Sequence, residues 1–333
     1  MKKIHYIIVV FLVLAMATPS YSQVYNKQDK KFRHWQKAQH FKKAYRYWMA
    51  GLSVGTMTYK GDLNPRSNII STKLNTSRLN VGAHLLWRWG PRITWRGSFS
   101  YGRIKGSDHK SANPNKGKID SEGARYTRNL SFRNDIAELN VGMMMDLFQN
   151  RKSMRRRLHW TPYGFIAIAG FYHSPKAFYN GEKYDLRKLG TEGQLLDGGK
   201  AYSAFQIAIP FGVGVRYQLN SAFDIAFEFG ARFTTTDYLD DVSGNYVDKL
   251  ALEKQSGKMA AILSDRSGEE ELHPRVVSES GITQEKKGDY IYTNSYTAGE
   301  KRGNPKYKDW YFVTGFHLTY IFRPRVYAAR YKG

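Results

Sequence analysis

Eight stretches of this chain alternate apolar and polar residues, and the gaps between them are alternately short and long. Successive side chains of a strand point to opposite faces, so each stretch carries one greasy and one polar face. The clearest is 77–89, where Leu79, Val81, Ala83, Leu85, Trp87 and Trp89 alternate with Asn80, Gly82, His84 and Arg88. The others cover 47–58, 93–103, 132–147, 160–172, 205–217, 223–233 and 310–322. In 160–172 both faces are apolar, which leaves its register open. Pro210 has no ladder donor, so a bulge or local break is expected within 205–217.

The gaps decide the topology. Those after the second, fourth and sixth stretches are short, whereas 59–76, 104–129, 173–202 and 234–309 are long. Short turns at one end, long loops at the other and an even strand count are the pattern of a bacterial outer-membrane barrel. The expectation is an all-β fold: an eight-stranded antiparallel transmembrane β-barrel with long extracellular loops and both termini periplasmic. Aromatic placement agrees. Trp48, Trp87, Trp89, Trp95, Phe148, Trp160, Tyr217, Phe223, Tyr320 and Phe322 fall at the periplasmic rim. Tyr101, Phe132, Phe171, Phe233 and Trp310 fall at the outer one, giving two interfacial girdles.

The first residues set the compartment. Lys2 and Lys3, the apolar run 7–17 and the small-x-small site Ser20-Tyr21-Ser22 read as a cleaved signal peptide over 1–22. That run is too short to span a bilayer, and nothing after Gln23 is long and apolar enough to do so as a helix. With no cysteine, a lipoprotein signal and a disulfide framework are excluded. A mean hydropathy of −0.57 suits a barrel whose lumen and loops are polar. The organisation expected is a signal peptide (1–22), a basic periplasmic segment (23–46), the barrel (47–322) and a basic periplasmic tail (323–333).

The formal charge is +24, reduced by two when Lys2 and Lys3 leave with the signal. An exported protein seldom meets nucleic acid, so the expected partners are anionic lipid headgroups, lipopolysaccharide or an acidic protein. Lumen-facing positions include Arg88, Arg96, Glu138, Asp146, Arg216, Asp224, Glu228 and Arg232. Eight strands leave room only for their own side chains, so these charges are expected to pair, with Arg216 and Glu228 as partners on adjacent strands. A diffusion pore is excluded. His84 and His317 also point inward as hydrogen-bonded fillers, and no cofactor or metal is expected. His173-Ser174 at the outer rim invites comparison with a lipid A modifying enzyme. Neighbours on a strand point apart, and no third orienting residue follows.

Ile209-Pro210-Phe211-Gly212-Val213-Gly214-Val215 and Thr236-Asp237-Tyr238-Leu239-Asp240-Asp241-Val242-Ser243 resemble the PorG-like family of outer-membrane barrels. So do Tyr59-Lys60-Gly61-Asp62-Leu63, Arg133-Asn134-Asp135-Ile136 and Leu263-Ser264-Asp265-Arg266-Ser267. The resemblance covers roughly 47–322. It implies a non-enzymatic accessory part of the type IX secretion system, associated with a periplasmic ring built from a lipoprotein and its partner.

Two further segments bear on a partner surface. The stretch 26–45 carries seven cations with Phe32, Trp35, Phe41 and Tyr45 at roughly helical spacing, which suits a basic amphipathic helix. Arg155, Arg156 and Arg157 follow the fourth strand on the same side, and clustered charge of one sign suggests a docking face for an acidic partner. The block Asp237-Tyr238-Leu239-Asp240-Asp241 invites a calcium reading, but its spacing lacks the six to eight oxygens of a wrapping loop. Ion pairing with loop arginines and packing on the barrel mouth is the expected role. The readings that compete with a secretion anchor are a lipid A modifying enzyme and a passive lipopolysaccharide-binding barrel.

Overall fold

The computed structural model describes residues 46–64, 77–112, 121–150, 157–267, 269, 284–287, 290–293 and 296–322. The signal peptide, most of the basic N-terminal segment, Arg155, Arg156 and the tail 323–333 lie outside them. Eight long strands form the body: β1 (Tyr47–Lys60), β2 (Arg78–Arg88), β3 (Ile93–Ser107), β4 (Ser131–Asp146), β5 (Trp160–Tyr179), β7 (Phe205–Gln218), β8 (Phe223–Thr234) and β11 (Trp310–Ile321). Each pairs antiparallel with its neighbours, and β1 meets β11 to close the sheet. The short β6 (Glu182–Asp185) extends β5 beyond the barrel, and β9 (Gln284–Lys287) pairs with β10 (Tyr290–Thr293) apart from it.

The register fixes the shape. Directly paired residues run Trp48, Trp87, Trp95, Met143, Ile166, Phe211, Ala231, Phe312 and back to Thr58 on β1. One circuit therefore returns ten residues further along the strand. For eight strands that stagger corresponds to a tilt of about 40° and a backbone radius of about 8 Å, enough for side chains and little else. At Pro210 the ladder to β5 is interrupted between Ile166–Phe211 and Ala169–Ala208, yet the register is the same on both sides and the pairing to β8 is continuous. The missing donor costs a rung and introduces no bulge.

The outward positions are those the alternation marks. Leu52, Val54, Leu79, Phe99, Leu139, Val141, Ile168, Ile207 and Phe316 are all exposed, Ile168 at 71%. A continuous belt of exposed aliphatic and aromatic side chains around a closed barrel is stable only in a hydrocarbon environment. Among the described residues no helix is long and apolar enough to cross a membrane, so the crossing is made by strands. At the short-turn end Trp48 stacks on Trp87 and Phe148 meets Trp160 edge-on. At the long-loop end Tyr172 meets Phe205 and Phe233 meets Trp310.

Two expectations need correction. Phe132 and Phe171 belong to no girdle: both are buried, because they lie on the inward parity of β4 and β5 and carry the core up into the loops. The open register of β5 is also settled. Tyr163, Phe165, Ala167, Ala169 and Phe171 face inward, while Ile166, Ile168 and Tyr172 face lipid. The strand needs large rings inside because glycines stand opposite them: a Cβ on Gly214 would lie 2.6 Å from the Tyr163 ring, and one on Gly212 2.9 Å from Phe165.

The strands also outrun their expected ends. β3 and β5 continue to Ser107 and Tyr179, so the sheet rises beyond the long-loop girdle on that side. On this frame the loops fold into a cap. It contains α1 (Asp108–Ser111), α2 (Ser121–Arg128), α3 (Leu186–Leu189), α4 (Lys249–Ser256) and α5 (Lys258–Ser264). The closed sheet and its apolar belt predict heat-modifiable behaviour. Protein kept in detergent should migrate as a compact species on cold electrophoresis and as a slower one after boiling. A chain that stays monodisperse without detergent would contradict the membrane assignment.

Candidate functional site

The lumen is filled by layers of charge. Near the short turns Asp146 accepts from Arg88 Nη1 at 2.5 Å and from Arg216 Nη2 at 2.6 Å, and Asp224 accepts from Arg157 Nη2 at 2.7 Å. In the middle layer Glu228 accepts both contacts of Arg96 Nη1, at 2.8 and 3.0 Å, and the Tyr163 hydroxyl at 2.7 Å. His317 Nε2 lies 3.4 Å from the same carboxylate. Arg96 also sits over the Phe165 ring, 4.2 Å from its centroid. Above, Glu138 accepts from the Tyr311 hydroxyl at 2.6 Å, with Arg232 at 3.5 Å. His84 bonds Thr319 at 2.9 Å. Between these layers a cavity of about 30 Å³ remains, room for roughly one water.

The eight expected interior charges are thus all inside and paired, but not as expected. Arg216 partners Asp146, and Glu228 partners Arg96 across the lumen. Tyr163 separates the two: its ring lies 5.5 Å from the Arg216 guanidinium and its hydroxyl bonds Glu228. Arg157 also departs from expectation. Its side chain is 6% exposed, pairs with Asp224 and bonds the carbonyls of Asn220 and Ser221, so it plugs the barrel end instead of offering a free docking charge.

The cap brings together sequence blocks that are far apart in the chain. Leu63, Ile136, Leu239, Val242 and Leu263 share one buried cluster with Tyr59, Phe132, Phe171 and Tyr311. The block 237–243 is its keystone. Leu239 is fully buried; its N–H donates to Asp309 Oδ2 at 2.9 Å, and its carbonyl accepts from Asn134 Nδ2 at 2.7 Å. Asp240 accepts from the Tyr59 hydroxyl at 2.5 Å. Asp241, with φ of 66°, accepts from Thr191 at 2.5 Å and from Tyr202 at 2.7 Å. Asp237 accepts from Ser243 Oγ at 2.7 Å, and Tyr238 stacks on Tyr202 with centroids 4.6 Å apart.

Packing on the mouth therefore matches the expectation for this block, and direct ion pairing with loop arginines does not. Arg302 reaches the carbonyl of Asp241 at 2.6 Å while pairing with Glu192, and Arg128 forks onto Asp108 at 2.7 and 2.8 Å. The keystone carboxylates receive hydroxyl and amide donors instead. Among the described residues no group of three or more His, Asp or Glu is placed to hold a metal ion. His173 and Ser174 do not meet as base and nucleophile. Ser174 Oγ donates to Asp185 at 2.9 Å, and the buried His173 ring faces Asn134 and Tyr202. Sequence reasoning missed Tyr59, Asn134, Glu192, Arg302 and Asp309 as cap-forming residues. The quoted motifs held the first two, and nothing local marked the others.

The keystone favours protonated carboxyl groups. The Tyr59 hydroxyl lies 2.5 Å from Asp240 and 3.0 Å from Asp309 Oδ1. One hydroxyl carries one hydrogen, so a proton on a carboxyl group would let both contacts be full hydrogen bonds. Burial agrees, pushing Asp240 and Asp309 well above the usual carboxylate range and raising Asp237 and Asp241 to about 7. Asp62, itself raised by burial, adds like-charge repulsion on Asp240.

Residues 40–254 match the family model described as a domain of unknown function, DUF6089. This chain belongs to the DUF6089 family. No curated protein matches it. The DUF6089 barrel is also similar to solved structures, each at low identity. Against Ail of Yersinia pestis the identity is 8%, covering 83% of this chain and 97% of that one, with a TM-score of 0.32. Neisserial surface protein A gives 10%, 83%, 97% and 0.31. A major outer membrane protein from Thermus thermophilus gives 8%, 83%, 99% and 0.34.

In this DUF6089 barrel Glu228→Ala leaves Arg96 buried without a partner and should destabilise the fold by roughly 3–5 kcal/mol. Glu228→Leu with Arg96→Met removes both charges and should recover more than half of that loss, read as urea midpoints in detergent. The cap prediction concerns pH. Carboxyl groups raised on folding stabilise fully below their unfolded pKa of about 4, and that stability is lost as pH rises through about 7. Amide protons of 236–243 should thus exchange faster at pH 8 than at pH 5 after correction for intrinsic rates. Asp241→Asn should flatten the dependence.

Proposed function

We propose that this chain is a non-enzymatic anchor in the bacterial outer membrane, an accessory component of the type IX protein secretion machinery. The long loops face outward, and the short-turn rim meets a periplasmic ring built from a lipoprotein and its partner. The observation that carries the anchoring role is the filled lumen. Arg88, Arg96, Arg216 and Arg232 are all committed to buried carboxylates, and the mouth above them is capped. A barrel whose described residues leave no open path and assemble no nucleophile is suited to work through its surfaces. The secretion role is supported by the PorG-like resemblance of the blocks that meet in the cap.

The ring contact is assigned to the basic segments that the sequence puts on the periplasmic side. Phe32, Trp35, Arg155 and Arg156 are its candidate residues, with Arg157 reassigned to holding the barrel end. The test is co-purification of the ring proteins with a tagged barrel from solubilised outer membranes. Deletion of 26–45, or charge reversal at Arg155 and Arg156, should lower recovery at least tenfold while the barrel still inserts. Recovery should also fall as salt rises from low to physiological strength, since exposed charges are screened within about 10 Å at 0.1 M. Full recovery from both variants, with normal secretion, would remove the ring contact from this rim.

A further inference from the structure

Beyond the long-loop girdle the extended sheet of β3, β4 and β5 carries a row of like charges. Lys105 lies directly opposite Arg133, and Arg133 directly opposite Lys176. All three have outward parity, as do Arg103 and Asp135 in the adjacent row. Side chains paired this way have Cβ atoms roughly 5 Å apart, and like charges directly opposite each other destabilise a sheet. A row of three is therefore unfavourable unless an anion lies across it.

The described residues supply little of that anion. Asp135 is taken by Arg103, which forks onto it through Nε and Nη2. Asp185 stands opposite Lys176 on β6, but its Oδ2 accepts from Ser174 Oγ. Among the described residues no carboxylate lies within ion-pair distance of Lys105, Arg133 or Lys176. The Arg133 guanidinium rests instead on the half-exposed ring of Phe178, 4.8 Å from its centroid, which holds it against the sheet.

Height above the bilayer identifies the anion. Tyr101 and Tyr172 are exposed girdle residues, 47% and 44% accessible. Arg103 and Lys105 follow Tyr101 by two and four residues on β3, and Lys176 follows Tyr172 by four on β5. At about 3.3 Å per residue and a tilt of about 40°, the row stands roughly 10 Å above the girdle. That is headgroup depth. A soluble anion would meet these cations equally well in chemistry, but the lipid phosphate is held there by its own acyl chains, beside the exposed belt of Phe99, Leu139 and Ile168.

We infer that Lys105, Arg133 and Lys176, flanked by Arg103 and Phe178, form a binding site for the phosphates of an outer-leaflet glycolipid. The inference rests on the outward placement of the long loops and is independent of the secretion role. Each cation near a membrane surface contributes about fivefold in affinity, so the full row is worth well over tenfold.

The test uses purified full-length barrel in neutral detergent, with bisphosphorylated lipid A, its dephosphorylated form and inorganic pyrophosphate as probes, read by native mass spectrometry. The wild type should bind bisphosphorylated lipid A at least tenfold more tightly than the dephosphorylated form. The triple variant K105Q/R133Q/K176Q should reduce that preference to about twofold. No preference in the wild type, or an undiminished one in the variant, overturns the site. Pyrophosphate binding as tight as lipid A would assign a soluble anion and overturn the lipid. If the triple variant fails the cold-electrophoresis fold test, Asp135→Asn serves instead. It frees Arg103 and should tighten lipid A binding a few-fold, whereas unchanged binding counts against the site. Ring co-purification with these variants should be unaffected, so loss of lipid binding alone leaves the anchoring proposal standing.

Discussion

Closure of the sheet is the constraint on which the rest depends. Within hydrocarbon every backbone donor and acceptor needs a protein partner, and an open edge would leave a row of them exposed. The chain meets that demand by pairing β1 with β11 at a stagger of ten residues. The stagger sets the tilt, the tilt sets the radius, and the radius leaves no space for an aqueous channel. What remains inside has to be packed by side chains, and their polarity is dictated by the alternation that puts apolar residues outside.

Polar packing in a narrow lumen turns electrostatics into a geometric problem. The arginines cannot be left unpaired, and stacked rings cannot satisfy them alone. The solution is layered, with one carboxylate serving two arginines at Asp146, and one serving an arginine and a tyrosine at Glu228. Glycines on the inner face make this possible by yielding volume to Tyr163 and Phe165. Those rings shape where each guanidinium can lie. The same residues that close the pore thus give the barrel one internal arrangement, because exchanging partners would strand a buried charge.

The outer half of this design was legible in the sequence, and the inner half only in part. Alternation, gap parity and girdle aromatics are local properties, so strand count and lipid-facing residues such as Leu52, Leu139 and Phe316 could be read directly. Which interior charges meet depends on the stagger. Reasoning from adjacent strands joins Arg216 to Glu228, whereas the closed barrel carries Glu228 on β8 to Arg96 on β3. The register of β5 was hidden because glycine and alanine weaken its alternation on both faces. In the cap, the resemblance-bearing blocks around Tyr59, Asn134, Leu239 and Leu263 were visible separately. Their convergence was not, since it is made by contacts spanning up to 250 residues, as from Tyr59 to Asp309.

The placement of its acids makes the cap surface more basic than the residue count alone. Asp108, Asp237, Asp240, Asp241, Asp265 and Asp309 are all buried in the cap, while Lys183, Lys188, Lys200, Lys254, Lys258, Lys301, Lys306 and Lys308 are exposed. Asp237, Asp240, Asp241 and Asp309, raised by burial, contribute less negative charge than the sequence counts for them. The cap is therefore more basic than its composition, which lowers the cost of standing among anionic headgroups and raises the cost of standing among other cations. The cap thus carries these acids as internal fasteners and these lysines as exposed surface. The row at Lys105, Arg133 and Lys176 extends that division down to the membrane, where it places cations at the one depth at which lipid phosphate is always present.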